Sequence, residues 1–332
     1  MRANSHDSTS YWARDVEVVV RGTQVGGPRE NYANLFNDTA AAYALALDWR
    51  ISGDRKRGAA AARILNAWAR TLKTITGTSD RYLASGIYGY QLAIAGETLR
   101  DFPGWSQTDQ AAFHKMLLDV IAPMNRDFLT HHNGAKIDHY WANWDLCNLA
   151  SLMAIGILTD HRDLYEQARE YYLHGEGNGA IGKAAWQVYP GGLAQWQESG
   201  RDQGHSLMGL GLAGTICEMA WQQGDDLFAA DDNRLLAAAR YVARYNLGQD
   251  VPYTTYTNSD VTQSVISDKM RGQVRPVWAL IFNHYVKRKG LEAPELQEMI
   301  RKNGIDGGGG DYGPNSGGFD QLGYGTLTST RP

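Results

Sequence analysis

The sequence predicts an all-α fold built from antiparallel helix pairs, and three observations lead to that prediction. Apolar side chains recur at helical spacing through most of the 332 residues once the first thirty have passed. Short segments rich in Gly, Asp and Pro separate these patterns, as tight turns between helices do. Period-two alternation is approached only at residues 16–20, VEVVV. The helix pairs are expected to follow one another around a toroid, an incomplete barrel or a solenoid.

The elements can be justified in order from the amino terminus. Residues 1–30 lack a helical period and are expected to form a short extended arm. At residues 58–75 the large apolar side chains share one stripe, which predicts a helix packed on one face; they are Ile64, Leu65, Trp68, Leu72 and Ile75. Comparable patterns recur and give eight to ten helices in all; they cover residues 43–51, 111–129, 144–159, 163–175, 206–223, 232–248 and 274–290.

The carboxy-terminal stretch, residues 304–332, differs from the rest because it is rich in glycine and has no helical period. Four of its side chains, Tyr312, Phe319, Leu322 and Tyr324, are too apolar for a solvated linker. We therefore expect a Gly-rich loop that packs against the helices. No Pro- or Ser-rich hinge divides the middle of the chain, so residues 31–332 are expected to form a single domain behind the arm.

Composition limits the possible partners and compartments. The net charge of -4 and the pI near 6.1 give no basic field, so we expect no nucleic-acid partner. No apolar run is long enough to cross a membrane, and the first fifteen residues lack the apolar centre of a signal peptide. Cys147 and Cys217 lie in apolar helical patterns, which favours buried free thiols over a disulfide.

Motifs for metals and common cofactors do not occur, so no metal or cofactor is expected. The adjacent pair His131 and His132 cannot direct both rings to one ion from a helix. The run DGGGGD at residues 306–311 lacks the Lys-Ser/Thr of a phosphate loop, and no Gly-x-Ser-x-Gly nucleophile elbow is present.

Polar groups interrupt apolar patterns at three places, and the first is the stretch 138–158, DHYWANWDLCNLASLMAIGIL. Its polar and aromatic cluster consists of His139, Trp141, Asn143, Trp144, Asp145 and Asn148. One interpretation is that Asn143 caps the helix. The two flanking tryptophans favour the other interpretation, a sugar site, because sugar rings pack on aromatic faces beside polar groups.

The second place is ESGRDQGH, residues 198–205, which follows Trp196 and precedes an apolar helix. Helical spacing would bring some of Glu198, Arg201, Gln203 and His205 to one side. A structural ion pair of Glu198 or Asp202 with Arg201 remains an alternative to a functional cluster.

The third place is the loop-rich stretch 245–260 together with residues 267–276. It contains three tyrosines, Tyr245, Tyr253 and Tyr256, followed by Arg271 and Arg275. A tyrosine can transfer protons in catalysis, although surface tyrosines are also common.

Together these stretches resemble the alginate lyase and chondroitin lyase superfamily of helical-toroid polysaccharide lyases. The resemblance is carried by residues 36–54, 139–158, 195–211 and 317–328, and thus by most of the chain. Among subfamilies the sequence is most similar to polysaccharide lyase family 38, the glucuronan and alginate lyases.

The resemblance implies β-elimination at a uronic acid. Asn143 and His205 match the family positions that neutralise the uronate carboxylate, and Tyr256 or Tyr253 would be both base and acid. Arg201, Arg271 and Arg275 would bind the carboxylate or lower the tyrosine pKa. Sugar contacts would come from Trp141, Trp144 and Trp196, with His139 and Gln203 beside them. The tyrosine position of the chondroitin lyases falls in residues 206–214, which contain none.

The expected substrate is an anionic polysaccharide, with glucuronan ahead of alginate, and secretion is expected from the family. Two other readings remain open. A helical-barrel glycoside hydrolase would use two carboxylates among Glu198, Asp202 and Asp145. A catalytically inactive protein would bind acidic glycans in the same groove. The oligomeric state is left open.

Overall fold

The computed structural model describes residues 2, 4–23, 25–304 and 320–330. In these ranges ten helices have ten or more residues, whereas the strands have two to four. The all-α fold class predicted from the sequence is therefore confirmed. The prediction for the Gly-rich tail falls mostly on residues 305–319, outside the described residues. The described chain divides into two compact units, and the single domain at 31–332 stays a prediction.

The first unit comprises Met1–Asn133, Ala150–Ala168 and Gly313–Leu322. Its elements are β1 (Val18–Arg21), α1 (Tyr32–Ser52), α2 (Arg55–Thr71), β2 (Thr74–Gly77), α3 (Arg81–Leu99), α4 (Gln107–Met116), a π-helical turn (Leu117–Ile121) and α5 (Ala122–His131). Helix α1 packs against both α2 and α3, and α2 packs against α4. Residues 150–168 also belong to this unit, so its core combines two separate stretches of chain.

A buried carboxylate is one of the groups that hold the amino-terminal arm to these helices. Asp38 of α1 accepts hydrogen bonds from the Tyr11 hydroxyl at 2.9 Å, the Arg14 amide at 2.7 Å and Trp68 Nε1 at 2.8 Å. Strand β1 then pairs in parallel with β2, so that Arg21 lies opposite Gly77. Residues 18–20 of VEVVV thus lie in a strand, and the extended arm over residues 1–30 stays a prediction.

The predicted helix at 58–75 ends earlier than its apolar stripe. Helix α2 stops at Thr71, Leu72 takes an extended conformation with ψ 124°, and Ile75 belongs to β2. Two threonines flank Ile75, and β-branched residues favour strands. Extending the helix to Ile75 was therefore wrong, although Leu72 and Ile75 are buried as expected.

The second unit comprises Gly134–Leu149, Arg169–Tyr312 and Gly323–Pro332. The elements from residue 142 onward are α6 (Ala142–Leu158), α7 (Arg162–His174), α8 (Ile181–Ala184), β3 (Gln187–Tyr189), β4 (Leu193–Gln195), α9 (Gln203–Gln222), α10 (Ala230–Asn246), β5 (Tyr256–Thr257), β6 (Thr262–Gln263), α11 (Trp278–Phe282), a π-helical turn (Asn283–Arg288), α12 (Pro294–Asn303) and α13 (Gly325–Ser329). The hairpins β3–β4 and β5–β6 were not predicted.

Helix α9 lies in the core of the second unit and presents its first turn to the candidate site. Gly209 lets the helix approach the indole of Trp196, since a Cβ there would lie 2.8 Å from the ring. Cys147 of α6 and Cys217 of α9 are buried and free, as predicted. None of the described helices combines the length and apolar character needed to cross a bilayer.

Candidate functional site

The turn before α9 places a carboxylate and an imidazole in direct contact. Asp202 is the N-cap of α9, and its Oδ1 accepts a hydrogen bond from the His205 amide at 2.8 Å. The same carboxylate lies 2.8 Å from His205 Nδ1. A carboxylate at Nδ1 favours the tautomer with the proton on that atom, which leaves Nε2 directed away from the cap. One residue thus starts the helix and orients the ring.

Arg201 links this pair to a buried carboxyl group. Its Nη1 donates to Glu198 Oε1 at 2.9 Å, and its Nη2 lies 3.2 Å from His205 Nε2. The guanidinium carbon lies 5.0 Å from the centre of the Trp141 ring, a cation–π contact. The ion pair of Glu198 with Arg201, left open from the sequence, is therefore present. It is part of a series of side-chain contacts from Glu198 through Arg201 and His205 to Asp202, termed here the Glu198–Asp202 contact network.

The two carboxyl groups of this contact network have opposite electrostatic environments. Burial raises the pKa of Glu198, which is fully enclosed, and the charges of Arg201 and His205 oppose that rise. Burial also acts to raise the pKa of Asp202, but the hydrogen bonds and charge of His205 outweigh it and lower the pKa to about 2. Asp202 is therefore anionic at neutral pH and places its negative charge against the His205 ring.

A second polar contact joins a tyrosine to the start of α6. Gln197 is fully buried, and its Nε2 donates to the Tyr256 hydroxyl at 2.8 Å while its Oε1 accepts from the Ala142 amide at 2.9 Å. Burial raises the pKa of Tyr256, and hydrogen bonds from Gln197 and Asn258 act to lower it. The phenol oxygen thus accepts amide hydrogen bonds, which favour its ionised form.

Tyr253 has the opposite arrangement. Its hydroxyl donates to the carbonyl of Gln263 at 3.0 Å, so its own proton is engaged. Burial, together with the neighbouring Tyr189, raises its pKa to about 12. The phenol lies against Gly200, where a Cβ would be 2.4 Å from the hydroxyl oxygen. Of the two tyrosines, Tyr256 has the better environment for proton transfer.

Asn143 lies inside α6 rather than at its cap, because the helix begins at Ala142. Only 2% of its surface is exposed, and its Nδ2 faces the sulfur of Met208 at 3.5 Å. Within the described residues its Oδ1 has no hydrogen-bond partner. A buried amide with one weak contact is unusual and fits a group that a ligand completes. The capping alternative was wrong.

Several predicted contacts with sugar belong to the core. Trp196 is fully buried against α9, so neither ring face is open to a sugar. Gln203 is buried as well, and its Nε2 donates to the carbonyls of Ser199 at 3.2 Å and Ser267 at 2.9 Å. Trp144 is largely buried and packs on Tyr140 with ring centres 4.6 Å apart. These three residues support the site from behind.

The predicted arginines of the third stretch stabilise loops instead of meeting Arg201. Arg271 stacks on Tyr245 at 3.8 Å and donates to the carbonyls of Tyr245 and Gln249, at 2.7 and 3.0 Å. Arg275 is almost completely buried, with Nε 3.4 Å from Gln273. His139 is partly exposed, and its Nδ1 lies 3.7 Å from the Asp260 carboxylate. None of these contacts connects to the Glu198–Asp202 contact network.

Asp145 also has a local structural function. Its Oδ2 accepts from the Tyr171 hydroxyl at 2.9 Å and from the Gly179 amide at 3.0 Å. It therefore fixes the segment that follows α7. In the part of the chain that the structure describes, no group of three or more His, Cys, Asp and Glu side chains is arranged to hold a metal ion.

Sequence reasoning missed Gln197 and Trp186, which both contact Tyr256. Trp186 packs edge-on against the Tyr256 ring with centres 5.5 Å apart. Gln197 sits in the polar run between Trp196 and Arg201, where a single glutamine gives no sign of its partner. Its function appears only when β5 and the start of α6 are placed beside the same turn.

Comparisons with known proteins place this all-α chain in a family. Residues 11–251 match the family described as alginate lyase, and the chain belongs to that family. A similar solved structure is that of an alginate lyase from Bacteroides ovatus, at 18% identity and a TM-score of 0.49. The match covers 64% of this chain and 59% of that one, and no curated protein sequence matches.

Proposed function

We propose that the chain is a polysaccharide lyase that cleaves a β-1,4-linked polyuronate by β-elimination, with glucuronan favoured over alginate or polymannuronate. Family membership supports the reaction class. The assignment of catalytic residues rests on one observation. In the Glu198–Asp202 contact network, Asp202 contacts His205 and His205 contacts Arg201, which lies beside the ring of Trp141. Secretion is part of this proposal, because the substrate is a large polymer.

The reaction requires the uronate carboxylate to be neutralised. Removing the C5 proton places a second negative charge next to that group, and preorganised donors lower the cost of the resulting enolate-like intermediate. A carboxylate that enters beside Arg201 accepts hydrogen bonds from its guanidinium, and it accepts from His205 Nε2 when the imidazole carries a proton on that nitrogen as well as on Nδ1. Asn143, whose amide makes only one weak contact, is the further donor proposed for this carboxylate.

Tyr256 is the proposed base and acid. In glucuronate and mannuronate the C5 proton and the O4 leaving group lie on one face of the ring, so one phenol reaches both. The ionised phenol takes the C5 proton, the electron pair forms the C4–C5 double bond, and the C4–O4 bond breaks. The same proton then passes to O4. Amide hydrogen bonds to the phenol oxygen support the ionised form.

The test is a polymer panel followed by ultraviolet absorbance of the new C4–C5 double bond. Glucuronan, alginate and polymannuronate are each mixed with the purified protein. Absorbance growth on at least one polymer is expected, with glucuronan fastest; silence on all of them refutes the lyase assignment.

The two tyrosines provide a matched pair of variants for the same assay. Tyr256→Phe is expected to lower kcat by about 10²–10⁴-fold, the usual contribution of a positioned acid or base. Tyr253→Phe removes the hydroxyl of a neighbouring, half-buried tyrosine and is expected to change kcat by only a few-fold. The reverse result would move the proton transfer to Tyr253.

The competing readings give different products. A glycoside hydrolase would make new reducing ends without ultraviolet absorbance, and a glycan-binding protein would bind without shortening the polymer. The three carboxylates available to a hydrolase are engaged: Glu198 with Arg201, Asp202 with His205, and Asp145 with Tyr171. Two carboxyl groups that flank a scissile bond are required for hydrolysis, and this pattern of contacts favours elimination.

A further inference from the structure

An arginine in the first unit is buried without a counterion in contact. Arg21, the last residue of β1, is only 6% exposed. Its guanidinium lies 4.9 Å from the centre of the Tyr32 ring and 5.8 Å from that of Tyr88. Its hydrogen bond to the Tyr88 hydroxyl is long, at 3.5 Å. Across residues 2, 4–23, 25–304 and 320–330, no carboxylate lies within 4.0 Å of it.

A buried arginine with no contacting counterion lowers the stability of a fold, and a purely structural arginine would give nothing in return. Burying a cation without a hydrogen-bonded anion costs several kcal/mol in typical proteins. Burial acts to lower the pKa of Arg21, while Tyr88 and then Asp320 act to raise it. Both groups act at a distance, and the hydrogen bond that the Arg21 side chain donates within the described residues is the long one to Tyr88. A charged fork directed at aromatic rings is suited to a planar anion.

The surrounding rings form a partly open aromatic cluster. Tyr32 and Phe36 of α1 and Tyr88 of α3 lie with ring centres 5.8 to 6.5 Å apart. Tyr88 is fully buried, whereas Tyr32 and Phe36 are half-buried. The cluster therefore offers aromatic surface next to the guanidinium. The apolar face of a pyranose packs on such surface.

The backbone around Arg21 is fixed by a close strand approach. Gly77, opposite Arg21, has φ 127°, and a Cβ there would lie 1.9 Å from the Arg21 carbonyl oxygen. Only glycine is tolerated at such a position. Strand pairing thus fixes the backbone from which the Arg21 side chain extends, and a fixed backbone lowers the cost of ordering a binding group.

We propose that Arg21, Tyr32, Phe36 and Tyr88, termed here the Arg21 cage, form a second binding site for a uronate residue of an acidic glycan. The guanidinium binds the carboxylate, and the half-buried rings of Tyr32 and Phe36 contact the sugar. The sugar identity rests on the proposed function. The carboxylate preference rests only on the buried cation.

The test is calorimetric titration with oligoglucuronate, in a His205→Ala background that blocks cleavage at the other site. Arg21→Met is expected to weaken binding about tenfold or more, the usual loss when a charged hydrogen-bond partner is removed. Its thermal midpoint is expected to stay equal or to rise, because a buried charge has been removed. Oligomers with reduced carboxyl groups are expected to bind both proteins equally.

Arg63→Met is the matched control. Arg63 also lies over an aromatic ring, that of Trp12 at 5.3 Å, but its Nη2 donates to the Thr9 and Tyr11 carbonyls. It should leave oligoglucuronate binding unchanged. If Arg21→Met does not fold, Arg21→Lys and Tyr32→Ala replace it; Lys keeps the charge and is expected to retain part of the affinity, and Ala should lose affinity.

Unchanged affinity in the Arg21 variants overturns the proposal, and so does a lower thermal midpoint with unchanged affinity, which marks a purely structural cation. Equal affinity for acetate and for oligoglucuronate overturns the sugar assignment. A protein that cleaves no polyuronate refutes the proposed function but leaves this binding test intact, because the titration requires no turnover.

Discussion

Among the arginines that lie over aromatic rings, Arg21 in the first compact unit and Arg201 in the second are held in opposite ways. Arg201 faces Trp141, with Glu198 and His205 as hydrogen-bond partners. Arg21 faces Tyr32 and Tyr88 with a single long hydrogen bond. The first guanidinium is compensated within the protein, and the second is not.

The charge of Arg201 stabilises neighbouring groups of the protein, whereas the charge of Arg21 has no contacting counterion among the described residues. Because Arg201 satisfies a fully buried carboxyl group, removing it harms the fold as well as the site. Removing Arg21 takes away an unfavourable buried charge and harms only binding. The contrast yields predictions that can be ranked by the size of the expected effect.

The largest expected effect concerns the group that orients His205. Asp202→Asn keeps a side-chain oxygen for the N-cap but presents an amide donor to the imidazole, which disfavours the productive tautomer. We expect activity on the best polymer to fall by about 10²–10⁴-fold, as when the orienting carboxylate of a catalytic histidine is lost.

Asp54→Asn is the control for this change. Asp54 is the N-cap of α2 and accepts from the Lys56 amide, with no histidine attached. Its replacement should leave the rate within about twofold, since asparagine caps nearly as well as aspartate. Equal losses in both variants would mean that capping, not orientation, explains the effect.

The next effect is on stability and tests the comparison directly. Arg201→Met leaves Glu198 without its partner and is expected to lower the free energy of unfolding by about 1–3 kcal/mol. Arg21→Met is expected to lower it by nothing or to raise it. Urea unfolding followed by circular dichroism measures both.

The double change Glu198→Leu with Arg201→Met should recover most of the stability, because both partners are then apolar. It should not recover activity. If Arg21→Met destabilises as much as Arg201→Met, the two arginines have the same structural function and the contrast fails.

A smaller effect is expected on the pH dependence of activity through Gln197. Gln197→Glu keeps an acceptor for the Ala142 amide but replaces the donor to Tyr256 with a carboxylate. Loss of that hydrogen bond raises the pKa of the phenol, so the rise of kcat with pH should move to higher pH. The shift is expected to be about one unit, read from pH–rate profiles. An unmoved profile would show that Gln197 does not tune Tyr256.

The smallest effect is on acid stability. The pKa of Asp202 is lowered from its ordinary value of 3.8 to about 2, so its contribution is present above about pH 4 and is lost as pH falls toward 2. Asp202→Asn should therefore lose less stability than the parent over this interval. Unfolding midpoints at several pH values measure the difference, and parallel curves would contradict it.

The sequence predicted the long helices well where one face is apolar, as in α2. It gave no indication of α3, because that helix is buried on nearly all sides and contains Ser85, Gly86, Gly89 and Gln91 in place of a polar stripe. Amphipathic periodicity requires one solvated face, and α3 has none.

At the candidate site, the turn of Asp202 and His205 could be predicted because a polar run interrupts an apolar helix. The burial of each side chain could not be predicted, and it is burial that distinguishes Arg201 from Arg275 and Trp141 from Trp196. Residue type alone carries no information on which tryptophan faces solvent. The burial of Arg21 could not be predicted for the same reason, because an arginine at the end of VVVR resembles any charged residue at the end of a strand.

The parallel pairing of β1 with β2 has a consequence for how the first unit forms. The two strands are separated in sequence by all of α1 and α2. Closing a loop of that length has an entropic cost that local helix contacts do not share. Helices α1 to α3 should therefore assemble before the arm joins them, and Arg21 should reach Tyr88 late in folding. Cleavage within residues 22–30 would uncouple these steps and leave a helical unit that lacks its cation.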